Sequence, residues 1–85
     1  MTTSFQRAVN KSVPRTARKD AIDTLVRDDQ RRNLAVLVRT GGLSGEFRRQ
    51  AIDGLGECAA TDTLSELAAD RSLEPSLRER ATELA

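Results

Sequence analysis

The stretch Phe47-Arg48-Arg49-Gln50-Ala51-Ile52-Asp53-Gly54-Leu55-Gly56 decides the fold. Phe47, Ala51, Ile52 and Leu55 stand at i, i+4, i+5 and i+8, so at 3.6 residues per turn they form one apolar stripe. The spacing predicts a helix over 45–57. Gly56 stands near its end, where a left-handed glycine is expected to close it. Thr61 or Asp62 then offers a side-chain oxygen to cap a second helix. Leu64, Leu67 and Ala68 form the stripe of that helix, which is expected to end near Arg71.

Thirty residues in either direction the pattern returns. Arg18, Arg48 and Arg78 align, as do Ala21, Ala51 and Ala81. Ile22 falls on Ile52, Asp23 on Asp53 and Glu83, Leu25 on Leu55, Leu34 on Leu64 and Leu37 on Leu67. Ala17, Phe47 and Leu77 share a position, and so do Val13, Leu43 and Leu73. Residues 13–42 and 43–72 agree at seven of thirty positions, mostly apolar ones at helical spacing. That is the signature of repeated helix pairs. A third copy runs over 73–85. In the first copy Ala17, Ala21, Ile22 and Leu25 predict a helix over 16–27, with Pro14 before it. Asp28 or Asp29 is expected to cap the next helix, which holds Leu34, Leu37 and Val38 and stops at Gly41-Gly42. Pro75 suits the first turn of a last helix, where its missing N–H costs nothing, and Ser76 with Glu79 offers a local cap contact. The leader, 1–12, places Phe5, Ala8 and Val9 on one face and is expected to form a short capping helix.

These residues resemble the first-helix signature of HEAT-like repeats, in the short form of about thirty residues named after phycobilisome lyases. That pattern is an apolar residue, Arg, two variable positions, Ala, then an apolar residue, Leu and Gly. Copy one resembles it through Ala17-Arg18, Ala21-Ile22 and Leu25, and copy three through Leu77-Arg78, Ala81 and Leu84. Val26 stands where the glycine is expected, Leu84 comes one place early, and copy three lacks a second helix. The resemblance covers residues 13–85. It implies an all-α chain, a short right-handed α-solenoid of about two and a half helix pairs with five or six helices, used as a binding surface. The apolar residues would then form a thin seam through a stack, not a compact core. Some members of the resembling family bind iron through His-Glu pairs.

Composition narrows the function. The 85 residues include no His, Trp or Tyr and one Cys. Without His the commonest general base and metal ligand is missing, which closes the iron-binding branch. Cys58 has no evident activating partner and reads as a small buried residue at a helix end. Gly41-Gly42-Leu43-Ser44-Gly45 lacks the Lys-Ser/Thr of a phosphate loop and reads as a linker. No enzymatic activity, metal or cofactor is expected. No apolar run approaches the ~20 residues of a membrane span, and the N-terminus shows no signal region. A cytoplasmic protein without membrane contact is expected.

The net charge of +1 conceals a polarity. Residues 1–49 hold eleven basic and five acidic residues, a balance of +6, and residues 50–85 hold three and eight, a balance of −5. Arg18, Arg48 and Arg78 are expected to pair with Asp23, Asp53 and Glu83 as a ladder between repeats; the alternative is a row of Arg that reads phosphates or carboxylates. Two binding functions follow. The first is a non-catalytic scaffold that takes a protein partner or larger assembly on its surface or open end. Arg31, Arg32, Val36 and Arg39 of copy one and Ser65, Glu66 and Ala69 of copy two are the exposed candidates. The second is association with RNA or a ribonucleoprotein through phosphate contacts. The cations for partner or phosphate binding are Arg7, Lys11, Arg15, Arg27, Arg31, Arg32 and Arg39. Base stacking has only Phe5 and Phe47 to draw on. Head-to-tail self-association of the basic part with the acidic part is a third reading.

Overall fold

The computed structural model describes residues 3–85, which form six α-helices and no strand. They are α1 (Ser4–Val9), α2 (Arg15–Arg27), α3 (Arg31–Arg39), α4 (Gly45–Glu57), α5 (Thr61–Ala68) and α6 (Pro75–Leu84). The apolar stripe of 45–57 is α4, with Phe47, Ala51, Ile52 and Leu55 all buried. The leader does form a helix. Thr3 caps α1 through a reciprocal box: its hydroxyl accepts from the Gln6 N–H (3.1 Å), and the Gln6 side chain accepts from the Thr3 N–H (2.9 Å). Ala8 is buried, and Phe5 and Val9 pack on the core beside it.

The helix junctions differ from the expectation. Gly56 lies inside α4, and no described glycine has a positive φ. The left-handed residues are Asp29 (φ 54°) and Ala59 (φ 55°), thirty positions apart. After α2 the N–H groups of Asp29 and Gln30 donate to the carbonyls of Val26 and Leu25, and after α4 those of Ala59 and Ala60 donate to Gly56 and Leu55. Both sets are the paired bonds of a Schellman closure. The closure turns the chain so tightly that the next helix starts at once. Gln30 and Ala60, not Asp28, Asp29, Thr61 or Asp62, therefore occupy the N-cap positions of α3 and α5, and neither makes a side-chain cap.

Helix α5 ends at Ala68 rather than near Arg71. There the Asp70 carboxylate accepts from the Ser72 N–H (3.0 Å) and hydroxyl (2.6 Å), a local turn that competes with continued helix. Pro75 opens α6 as expected, but its N-cap, Glu74, makes no side-chain bond and Ser76 adds none.

Helices α2, α4 and α6 lie side by side as one layer, α2 on α4 and α4 on α6. Helices α1, α3 and α5 form the other layer, each packed on the helix that follows it. Two glycines of α4 allow the first layer to close. A Cβ at Gly54 would overlap a methyl of Val26 on α2, and one at Gly56 would lie 3.2 Å from a methyl of Leu84 on α6. Buried side chains form one cluster from Ala8 to Ala81. The radius of gyration, 11.8 Å, matches the about 12 Å of a globular chain of this length. At six helices the apolar residues thus make a single core, not the thin seam expected.

Candidate interaction surface

The recurring arginines turn away from the carboxylates. Arg48 Nε–H donates to the Val38 carbonyl at the end of α3 (2.8 Å), and Arg18 Nε–H donates to the Ala8 carbonyl in α1 (3.0 Å). Both bonds span ten residues and tie the helix to the last turn of the one before it, where carbonyls lack helical partners. Arg18 also stacks over the Phe47 ring at 4.6 Å. Arg78 stands at the third equivalent position, yet its Nε is buried without an acceptor.

The carboxylates are met from two residues further on. Gln50 Nε2–H donates to Asp23 Oδ1 (3.0 Å) and to the Lys19 carbonyl (3.0 Å). Arg80 Nε–H donates to Asp53 Oδ1 (2.8 Å), and Glu83 pairs with Arg80 inside α6 (3.1 Å). The expected pairing of Arg18, Arg48 and Arg78 with Asp23, Asp53 and Glu83 is therefore replaced by two sets. Two residues along a helix rotate a side chain by about 200°, so 18/48/78 face the other layer while 50 and 80 face the neighbour in their own. The signal for the second set was present in the chain: Asp23 with Gln50, and Asp53 with Arg80, are each 27 residues apart. Matching identical residues overlooks it, because position 20/50/80 carries Asp, Gln and Arg in turn.

The seven candidate binding cations are all exposed, but four already hold partners. Arg15 pairs with Glu46, which Lys19 also approaches at 3.4 Å. Arg27 donates to the Thr24 hydroxyl (3.2 Å). Arg31 pairs with Asp29 (2.8 Å) and donates to the Cys58 carbonyl (2.7 Å), and Arg39 pairs with Asp70 (3.0 Å). Arg7, Lys11 and Arg32 form no ion pair among the described residues. The hydrogen bond from Arg31 holds the Asp29 carboxyl below its usual range. The Ser72 hydroxyl, then Arg39, hold the Asp70 carboxyl down to about 2. Cys58 is half-buried, not fully buried as expected; its thiol donates to the Val26 carbonyl (3.5 Å), and burial pushes its pKa up. That is the opposite of an activated nucleophile.

A shallow groove runs between α3 and α5, lined by Arg31, Arg32, Ala35, Arg39, Thr63 and Glu66. On α3, Val36 is 45 % exposed, while the other large apolar side chains of the described residues are buried or half-buried. The outer face of α6 has a threonine where α2 and α4 bury an isoleucine. Ile22 and Ile52 are fully buried, but the equivalent residue of α6, Thr82, is exposed beside Glu79 and Glu83. Among the described residues no helix is long and apolar enough to cross a membrane, and no three His, Cys, Asp or Glu gather to hold a metal ion. No family model matches the chain, and no curated protein or solved structure matches it either.

Proposed function

We propose that this chain is a short right-handed α-solenoid of the HEAT-like kind, and that it works as a non-catalytic module binding a protein partner on the surface of α3 and α5. The solenoid reading is supported by features that recur every thirty residues: the arginine-to-carbonyl bonds of Arg18 and Arg48, the left-handed Asp29 and Ala59, and the side-by-side row of α2, α4 and α6. The observation that carries the binding reading is the exposed Val36 on α3, the helix that supplies Arg31, Arg32, Ala35 and Arg39 to the α3–α5 groove.

Two other uses fit less well. Phosphate binding has Arg7, Lys11 and Arg32 as its cations without an ion pair among the described residues, and these are divided between α1, the turn after it and α3. Head-to-tail stacking would extend the row of α2, α4 and α6. In that row residue 23 meets residue 50 and residue 53 meets residue 80. The next step would set Glu83 against Asp20 of a second copy, a like-charge contact, with Thr82 where an isoleucine is buried elsewhere. The surface, not the end, is thus the better docking site.

Affinity capture with the wild-type chain and with Val36→Glu tests this reading, with Arg49→Glu on the opposite layer as the control. A partner retained after nuclease treatment and by Arg49→Glu, but lost with Val36→Glu, is the expected result. A partner released by nuclease, or held equally by all three chains, refutes it.

A further inference from the structure

We infer that the partner segment docking on this surface is acidic, laying carboxylates on Arg32 and its neighbours and an apolar side chain on Val36; this rests on the protein-binding reading above. The acids of the chain are not spread evenly over its helices. Residues 3–19 and 30–45 contain none, so α1, α3 and the turns that follow them carry cations alone. Every acid of the described residues belongs to α2, α4, α5, α6 or their adjoining turns.

On α3, Arg32, Val36 and Arg39 stand at i, i+4 and i+7, one face of a helix over about 10 Å of its length. Asp29 and Asp70 reach Arg31 and Arg39 from outside α3, each through the guanidinium Nε. This orients the two forks at either end of the helix. A guanidinium offers five donors, and the pairs seen leave donors on both residues for an incoming carboxylate. Arg32, with no ion pair, supplies the charge that a partner would neutralise; Glu66 lines the α5 side of the same groove, so the acidic segment lies along α3 and not against α5.

An acidic peptide suits this face better than a nucleic acid does. Val36, the exposed apolar residue, lies between the cations, where a phosphate backbone has nothing to bury and a Leu or Val of a peptide does. Helix α3 also carries no aromatic on which a base would stack.

The test is fluorescence anisotropy with the full chain and three labelled probes: a short amphipathic peptide of Glu and Leu, its Lys-for-Glu counterpart, and oligouridine. The Glu peptide is expected to bind, with affinity falling as salt rises. Arg32→Glu should weaken it about three- to tenfold, since one attraction is lost and one repulsion gained. Val36→Ser should weaken it severalfold and Arg49→Glu should leave it unchanged. Arg32 and Val36 are exposed, so far-UV circular dichroism should show both variants folded. Arg32→Gln, which removes the charge without reversing it, provides an intermediate. No binding of the Glu peptide, equal binding of the Lys peptide, tighter binding of oligouridine, or indifference to both α3 variants overturns the inference. If the peptide fails while Val36→Glu still loses the captured partner, acidic chemistry is wrong and the docking site stands. If capture is also unaffected, both readings fall.

Discussion

Replacing Arg48 with Met should be among the most costly single changes to a charged residue in this protein. Arg48 is 7 % exposed and is the buried charged residue of the described chain. Its Nε–H bond to the Val38 carbonyl (2.8 Å) joins α4 to the end of α3. A hydrogen bond from a charged donor contributes about 1.5–3 kcal/mol, and a carbonyl left without a partner adds its own desolvation cost. Met preserves much of the packing of the aliphatic stem, so a net loss of about 2 kcal/mol is expected. For a domain of this size that lowers Tm by about 8–16 °C. Arg18→Met loses a bond of the same kind (3.0 Å) from a half-buried site, with the stacking on Phe47, and should cost about 1–2 kcal/mol. Arg78→Met should be nearly neutral or slightly stabilising, because its buried Nε has no acceptor to lose. Urea unfolding followed by circular dichroism, with the slope checked for constancy, measures the series. A ladder of ion pairs predicts equal costs instead, and strong coupling between Arg48→Met and Asp53→Asn. Arg78→Met proving as costly as Arg48→Met would falsify the carbonyl assignment, as would a double mutant that departs from additivity by more than about 0.5 kcal/mol.

Three further outcomes follow from the junctions and the helix contacts. Gly54→Ala should destabilise the wild type by about 1 kcal/mol, because overpacking against the stiff Val26 outweighs the gain in helix propensity. In a Val26→Ala background the same change should stabilise by about 1 kcal/mol, and a gain of equal size in both backgrounds contradicts the close approach. Ala59→Gly should add about 0.5–1 kcal/mol by relieving the left-handed backbone. Asp29→Gly at the equivalent position should gain less, since it also removes the partner of Arg31; thermal melts that rank the two the other way refute the argument. The Asp70 carboxyl lies lower in the folded chain, about 2, than its ordinary value of 3.8. Its contribution is therefore complete above pH 3.8 and is lost as pH falls toward 2. Asp70→Asn should flatten that part of the stability profile relative to wild type, and parallel profiles of the two proteins between these pH values exclude the effect.

Much of the helical framework is legible in the chain because burial repeats at short range. The stripes of Ile22 and Leu25, of Leu34 and Leu37, and of Phe47 to Leu55 each need only the period of a helix to be read, and all of these residues are buried. The capping box of α1 is equally local, with Thr3 and Gln6 three residues apart. The candidate surface is less legible. Val36, Arg32 and Arg39 are readable as exposed from their place opposite the stripe of α3. That Arg31 and Arg39 are held by Asp29 and Asp70 is not, because a charged side chain selects its partner by reach after the helices have met.

The same division applies to the whole molecule. The sequence by itself determined which apolar stripes turn inward, because helical periodicity and apolar character act within a turn or two. It also determined the thirty-residue spacing at which the Schellman closures and the arginines recur. Tertiary structure alone decided that Ala59, not Gly56, takes the left-handed conformation, because Gly56 gives its space to Leu84 inside an unbroken helix. It alone decided that Arg48 serves a carbonyl and Arg80 an aspartate, since the approach of neighbouring helices sets which acceptor lies within reach of a guanidinium.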